Sequence, residues 1–234
     1  MDIALTVMRL LPWHDWAAVG IFFGGWIGYA WFARRLAHRQ PSILASTNRI
    51  RHEWMRQTTF REVRLIDGVV MQSLSTSPSF FASTTILIIG GLLAVLGSNN
   101  ANELVSEIPF AVRTTALVFD LKIVLLLSIF VYAFFRFTWS MRQYTFGALL
   151  IASAPEAPQF ADQKASRDEF ADRAGRVVGL AAETFNDGLR TYYFAFAAVS
   201  WFVSPLLFVI ATLGVVYILY QREFHSEVLA VLNA

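Results

Sequence analysis

The sequence predicts an all-α integral membrane protein with four transmembrane helices. Of its 234 residues, 56% are hydrophobic and only 15% are charged, whereas soluble domains average about 45–50% apolar and about 25% charged residues. Four apolar stretches are long enough to cross a bilayer, because about 20 helical residues span a hydrocarbon core of about 30 Å. Most of the arginines lie in two segments between these stretches, as in multi-pass membrane proteins.

The spans belong to a single membrane domain that covers residues 1–234. They are predicted at residues 16–33, 79–98, 114–139 and 192–220. The stretch 79–98 carries no charge and is the clearest of the four. Ser204-Pro205 predicts a kink in the fourth span, because proline removes a backbone hydrogen bond and clashes with the preceding turn.

The distribution of basic residues predicts the orientation. Eight lie between the first and second spans, and seven lie between Arg136 and Arg190. By the positive-inside bias, both segments are cytoplasmic, and both termini lie on the periplasmic side of a bacterial inner membrane.

The two cytoplasmic segments are predicted to be long amphipathic helices, at about residues 43–76 and 159–191. Apolar residues recur in both at helical spacing. In the second segment, Ser166 and Glu169 fit a capping box at a helix start. An apolar stripe from Phe170 to Leu189 then runs toward the fourth span, so we expect this helix to continue into the membrane.

No motif predicts catalysis, a metal or a cofactor. The chain has no cysteine and four histidines. None of the histidines lies within a span, and no two share helical spacing. A nucleophile elbow, a P-loop and a dinucleotide fingerprint are all missing from the sequence. The net charge of +2 is too small to indicate nucleic-acid binding.

Several basic residues are candidate contacts for lipid headgroups or other anions. They are Arg136, Arg142, Arg190 and Lys122. Arg136 and Arg142 lie at the cytoplasmic end of the third span, where lipid phosphates are the default partner. A functional interpretation joins them with Arg190 in an anion or headgroup site. Lys122 lies about two turns inside that span; it either snorkels to the outer interface or lines a polar path.

A candidate polar network lies on the helix before the fourth span. Arg176, Glu183 and Asp187 share one face with Arg190, opposite the apolar stripe. Such a face is most often a solvated, ion-paired surface. The two carboxylates at i and i+4 also suit a divalent cation, although no histidine accompanies them.

Small residues form candidate packing or pore faces. They are Ser83, Thr84, Gly90 and Gly91 in the second span, and Gly175 and Gly179 in the second cytoplasmic helix. Glycines four residues apart, such as Gly175 and Gly179, let helix backbones approach closely. Small, weakly polar residues in a span also suit a pore wall. We favour packing.

Three stretches carry a resemblance to a known family. They are FFASTTILIIGGLLAVLGS (Phe80–Ser98), FVYAFFRFTWSMRQYTFGALLIASAP (Phe130–Pro155) and GLRTYYFAFAAVSWF (Gly188–Phe202). In order and spacing they resemble domain-of-unknown-function family 599, uncharacterised multi-pass membrane proteins of bacteria and plants. The resemblance implies the same membrane topology and no particular activity.

Three functional hypotheses follow. The first is a non-enzymatic, oligomeric scaffold or accessory subunit that packs against itself, anionic lipid or a membrane complex. The second is a homo-oligomeric anion channel lined by the Ser83 and Gly90 face. The third is an enzyme that acts on lipid headgroups through the polar residues near Arg136 and Glu183.

Overall fold

A computed structural model of the chain describes residues 11–37, 40–98, 115–162 and 165–233. Within these ranges the secondary structure is helical and contains no strand, which confirms the all-α fold class. The helices are α1 (Trp13–Ala37), α2 (Ile43–Thr58), α3 (Leu65–Leu96), α4 (Ala116–Ala152), α5 (Ala157–Ala161), α6 (Arg167–Val199), a 3-10 turn (Ser200–Phe202), α7 (Pro205–Phe224) and α8 (Glu227–Leu232).

Four helical segments of the described chain are long and apolar enough to cross a membrane. They are Trp13–Ala37, Leu65–Leu96, Ala116–Ala152 and Pro205–Leu232. The first three contain most of the apolar stretches predicted at 16–33, 79–98 and 114–139. The fourth begins 13 residues after the predicted start at Tyr192, because the helix breaks before Pro205.

The chain divides into two compact units. Unit 1 comprises Met1–Arg39, Ile86–Tyr132 and Arg190–Arg222, and unit 2 comprises Gln40–Thr85, Ala133–Leu189 and Glu223–Ala234. Helices α3, α4 and α6 each contribute residues to both units. The sequence alone suggested one membrane domain.

Aromatic rings form much of the core of unit 1. Phe22 is fully buried and contacts Phe194 and Phe208, with ring centroids 5.7 and 5.0 Å away. Trp26 stacks on Phe194 at 5.6 Å with 15° between the ring planes. These contacts join α1 to the end of α6 and the start of α7.

The kink predicted at Ser204-Pro205 is a complete break. Helix α6 ends at Val199, a 3-10 turn follows, and α7 begins at Pro205. The chain then doubles back, since Arg222 near the end of α7 donates a hydrogen bond to the Tyr193 hydroxyl at 2.7 Å. The apolar stretch predicted as one span at 192–220 therefore folds as two antiparallel pieces.

Helix α7 runs in the same direction as α1 within unit 1. Phe22 contacts Phe208 near the start of α7, and Phe32 contacts Tyr220 near its end. The start of α1 and the end of α7 thus lie at opposite ends of this unit. The prediction that both termini lie on the same side rests on four crossings, and the break before Pro205 adds one reversal of direction to the chain.

In unit 2, the helix predicted at 43–76 is two helices. Helix α2 ends at Thr58, and α3 begins at Leu65. The hydroxyls of Thr58 and Thr59 donate to the carbonyls of Trp54 and Arg56 at 3.0 and 2.7 Å, which occupies the acceptors of the last turn. From Leu65, α3 continues without interruption to Leu96.

The helix predicted at 159–191 is also divided. The short α5 comes first, and α6 begins at Arg167. Ser166 caps α6, because its Oγ accepts a hydrogen bond from the Glu169 backbone N–H at 3.2 Å, as the capping pattern predicted. Helix α6 has its buried side where the apolar stripe predicts it, with Phe170, Ala174 and Ala181 in the core.

The C-terminal helix α8 packs on α2 in unit 2. Glu223 Oε1 accepts a hydrogen bond from the Leu44 N–H at 3.1 Å, and Ser46 donates to Asn233 at 3.0 Å. Arg49 donates to the Leu232 carbonyl at 3.1 Å. The end of the chain therefore belongs to the same unit as α2.

Candidate functional site

The two glycines predicted for close packing lie where α6 meets α2. A Cβ on Gly175 would lie 3.0 Å from the Cα of His52, and one on Gly179 would lie 3.1 Å from Asn48 Oδ1. Both positions are buried. Only a residue without a side chain lets α2 lie this close to α6. These contacts favour the packing interpretation for Gly175 and Gly179.

Polar side chains line the same contact between α2 and α6. Asn48 Nδ2 donates to Glu183 Oε1 at 3.1 Å, so Glu183 belongs to this contact and not to a solvated stripe. At the exposed edge, His52 bonds Asp172 at 2.8 Å and Arg56 pairs with Asp168 at 3.2 Å. The order of these pairs shows that the two helices are antiparallel.

Asp187 makes the corresponding contact with α4. It forms an ion pair with Arg136, and the side chains are only 13% and 27% exposed. One turn further along α4, Ser140 donates to the buried Ala181 carbonyl at 2.7 Å. A Cβ on Gly188 would lie 2.5 Å from the Phe137 ring, so this seam is also tight. Arg136, a predicted anion contact, thus serves to join α4 and α6.

The remaining predicted polar residues are spread over different places. Arg142 is exposed and lies over the Phe146 ring at 5.6 Å. Arg176 is exposed on α6, and Arg190 is half-buried, one turn beyond Asp187. Arg176, Glu183 and Asp187 therefore do not form a single solvated network, because Glu183 and Asp187 face α2 and α4, respectively.

Lys122 is buried in unit 1, with 3% of its surface exposed. Its ammonium donates to the Trp201 carbonyl at 2.9 Å. That carbonyl lies four residues before Pro205, which has no N–H to donate to it. Lys122 therefore satisfies the acceptor that the helix break leaves open, and the prediction of a snorkelling side chain or lipid contact is wrong.

Asp15 joins Lys122 and Trp201 in a buried polar cluster, which we call the polar corner. The Trp201 indole N–H donates to Asp15 Oδ1 at 2.6 Å, and Asp15 is 7% exposed. The corner joins α1, α4 and the turn after α6. Sequence reasoning missed it, although a proline preceded at i−4 by an open carbonyl predicts that some donor must be near.

Asp67 is a second buried acid that the sequence did not reveal. It is fully buried, and its Oδ1 accepts hydrogen bonds from Trp54 at 2.7 Å, from Thr58 at 3.2 Å and from Arg61. It fixes the end of α2 against the start of α3. The only signal in the sequence was an acidic residue among apolar ones in a first helical turn.

Other arginines of unit 2 hold backbone carbonyls. Arg64 donates to the carbonyls of Ala154 and Pro155, after α4, and Arg167 donates to that of Thr59 at 2.7 Å. Arg51 donates to Asn48 Oδ1 at 2.8 Å. Burial lowers the pKa of the Arg51 guanidinium, but an arginine keeps its proton at neutral pH.

The small-residue face of α3 differs from that of α6. Ser83, Gly90 and Gly91 are exposed, and a Cβ on either glycine would meet nothing within 4 Å. Thr84 is half-buried and donates to the Phe80 carbonyl of its own helix at 3.0 Å. This face of α3 has no neighbour within the described chain.

Four described helical segments that are long and apolar enough to cross a membrane indicate a multi-pass α-helical membrane protein. The chain matches DUF599, a family described as proteins of unknown function, over residues 17–228. It belongs to this family, as the resemblance of its three aromatic-rich stretches predicted. No curated protein and no solved structure matches the chain.

Proposed function

We propose that this protein is a non-enzymatic scaffold or accessory subunit of the bacterial inner membrane, which acts by packing against itself or a membrane complex. The supporting observation is the use of its polar residues. Glu183, Asp187 and Lys122, which catalysis or transport would draw on, are each engaged in holding one helix to another. Their arrangement is that of a rigid framework.

Unit 2 is proposed to face the cytoplasm. It contains most of the arginines of the two basic segments, which the positive-inside bias retains on that side. Because α7 runs parallel to α1 and α8 packs on α2, we propose a periplasmic N-terminus and a cytoplasmic C-terminus. This orientation needs an odd number of crossings, so we propose that the end of α6, which is antiparallel to α7, crosses the membrane in addition to the four candidate spans.

The orientation can be tested because the chain has no cysteine. A membrane-impermeant maleimide added to intact spheroplasts is expected to label Trp13→Cys and not Val231→Cys. Both native side chains are highly exposed, which makes the two variants a matched pair. Equal labelling from outside would contradict the proposed orientation.

The scaffold function is tested by native mass spectrometry of the full chain extracted directly into lipid nanodiscs. We expect an oligomer or a stable complex that retains the same members in the Glu183→Gln and Asp187→Asn double variant, because each amide keeps the size and an acceptor of the acid. A lone monomer without any associated protein would overturn the proposal. An enzymatic turnover that the double variant loses would overturn its non-enzymatic part.

The channel alternative predicts a different result. If the Ser83 and Gly90 face lined a pore, proteoliposomes would conduct chloride, and Gly90→Leu would block the flux. The scaffold proposal expects that neither the wild-type protein nor the Gly90→Leu variant conducts chloride above the level of empty liposomes.

A further inference from the structure

We propose that the exposed face of α3 is the surface through which two copies of this chain associate, each presenting the same face to the other. This inference rests on the proposed function, since it names the partner and the surface of an assembling membrane protein. Two separate parts of α3 support it.

The first part is an apolar patch in unit 2, formed by Val63, Leu65, Ile66 and Val69. These side chains are 76%, 74%, 70% and 62% exposed. Together they expose on the order of 500 Å², and contiguous patches of this size on soluble surfaces mark interaction sites. We therefore infer that a partner covers this patch.

The patch lies well before the uncharged apolar stretch of α3. Leu65 lies 14 residues before Ser79, the start of the uncharged apolar stretch, and at 1.5 Å per residue this is about 21 Å along the helix. The exposed polar residues Gln72, Ser73 and Thr76 lie between them. A lipid-facing surface would end with the hydrocarbon, so the partner of the patch is a protein.

The second part lies in the apolar half of the same helix. Ser83, Leu87, Gly90 and Ala94 recur at spacings of four, three and four residues, and all are exposed. Helix contacts in membranes are enriched in small residues at such spacing, because the backbones can then approach closely. Of the four candidate spans, that of α3 has the smallest share of buried residues, 11% of its most apolar part.

Helix α7 shows what a lipid-facing surface of this protein looks like. Its exposed side chains are large, and they include Leu206, Ile210, Leu213 and Tyr217. The apolar half of α3 also exposes large side chains such as Leu87, but it interleaves them with Ser83, Gly90, Gly91 and Ala94. Small residues of this kind do not occur among the exposed positions of α7, which is why we assign the face of α3 to a helix partner.

The chemistry of the face favours a second copy as the occupant. From Gly68 to Ser98 the sequence contains no charged residue, and the charged residues beside the patch, from Arg61 to Asp67, are two basic and two acidic, so the face meets its own image without net like-charge repulsion. Two copies inserted in the same direction place equal depths of α3 opposite each other, as a two-fold interface requires. A standard interface buries about 800 Å² per partner, and the patch supplies over half of it before the membrane part is added.

Disulfide trapping in native membranes tests this surface, since the natural chain contributes no background thiol. Single variants Val69→Cys and Gly90→Cys are oxidised with copper phenanthroline, and Leu213→Cys on the exposed face of α7 is the matched control. We expect a product of twice the 26.4 kDa chain mass at least tenfold more abundant for the two α3 variants than for the control. Adding Val69→Glu to Gly90→Cys should reduce the trapped product severalfold.

The possible failures are distinguishable. If native mass spectrometry shows an oligomer but neither α3 variant forms the product, this inference is overturned and the scaffold function stands. Equal trapping at Leu213→Cys would mean random collision and would also overturn it. Trapped adducts of another mass would assign the face to a different protein. A monomer in both experiments would overturn the inference and the proposed function together.

Discussion

The two units of this protein hold their helices together in different ways. In unit 1, rings such as Phe22, Trp26 and Phe194 fill the contacts, and one polar corner around Trp201 fixes the helix break. In unit 2, glycines bring α2 and α6 close together, and polar pairs cross from helix to helix.

The difference teaches how each unit specifies its arrangement. Rings pack in several orientations with similar energy, so unit 1 relies on its buried polar corner to fix the register of its helices. In unit 2, a glycine contact is intolerant of added atoms, and each polar pair fits one register only. We therefore expect unit 2 to respond more strongly to single substitutions than unit 1.

The largest effect is expected for Gly175→Leu. The new side chain would meet the backbone of His52 at 3.0 Å, which cannot move without shifting α2. We expect the free energy of opening α2 away from α6 to fall by about 3 kcal/mol. Hydrogen exchange of residues 43–58 in nanodiscs measures it.

A matched control comes from unit 1. Gly24 is exposed and has no atom within 4 Å of its Cβ position, so Gly24→Leu should leave exchange unchanged. Equal responses of the two variants would break the comparison between the units.

A loss of about 2–3 kcal/mol is expected for Asp67→Ala. The substitution leaves the indole N–H of Trp54 without its acceptor and removes the partner of Arg61. Asp67→Asn should lose less, because an amide oxygen still accepts from Trp54. Chemical unfolding followed by tryptophan fluorescence measures both. A loss no greater for alanine than for asparagine would contradict the assigned hydrogen bonds.

Lys122→Met tests the polar corner of unit 1. Methionine fills similar space but leaves the Trp201 carbonyl without a donor, at a cost of about 1–3 kcal/mol. The exposed Arg142→Met should change stability by less than about 0.5 kcal/mol. Thermal unfolding of both variants in the same detergent gives the difference. A neutral Lys122→Met would show that the corner does not secure the helix break.

The smallest effect is expected for Phe22→Leu in the ring cluster of unit 1. Neighbouring rings can shift into part of the space, so we expect a loss of about 1–1.5 kcal/mol. Phe32→Leu, at a half-exposed ring of the same helix, is the control and should be near neutral. A loss above that of Gly175→Leu would reverse the order of the two units.

Much of the fold followed from composition. An uncharged stretch such as 79–98 has few alternatives to a spanning helix, and the capping pattern at Ser166 located the start of α6. The reversal at Pro205 could not be predicted from the sequence, because hydropathy measures how apolar a stretch is and not the direction in which it runs. A proline inside an apolar stretch indicates a kink or a reversal equally well, and packing against α1 decides between them.

The candidate site was predictable only in part. The spacing of Gly175 and Gly179 indicated a close helix contact, but it could not identify α2 as the neighbour. The face shared by Glu183 and Asp187 was interpreted as solvated, because the sequence does not show that α2 and α4 lie against it. Asp67 and Lys122 pair with residues that only the tertiary structure brings near.

The polar corner around Trp201 also constrains how the chain enters the membrane during synthesis. Asp15 precedes Trp201 by 186 residues, and Lys122 precedes it by 79. At a synthesis rate of about 5–20 residues per second, Asp15 exists for about 10–40 s before its partner is made. Both charged groups must therefore remain near water or within the insertion machinery until the end of α6 arrives, so unit 1 can assemble only after Trp201 and α7 have been made.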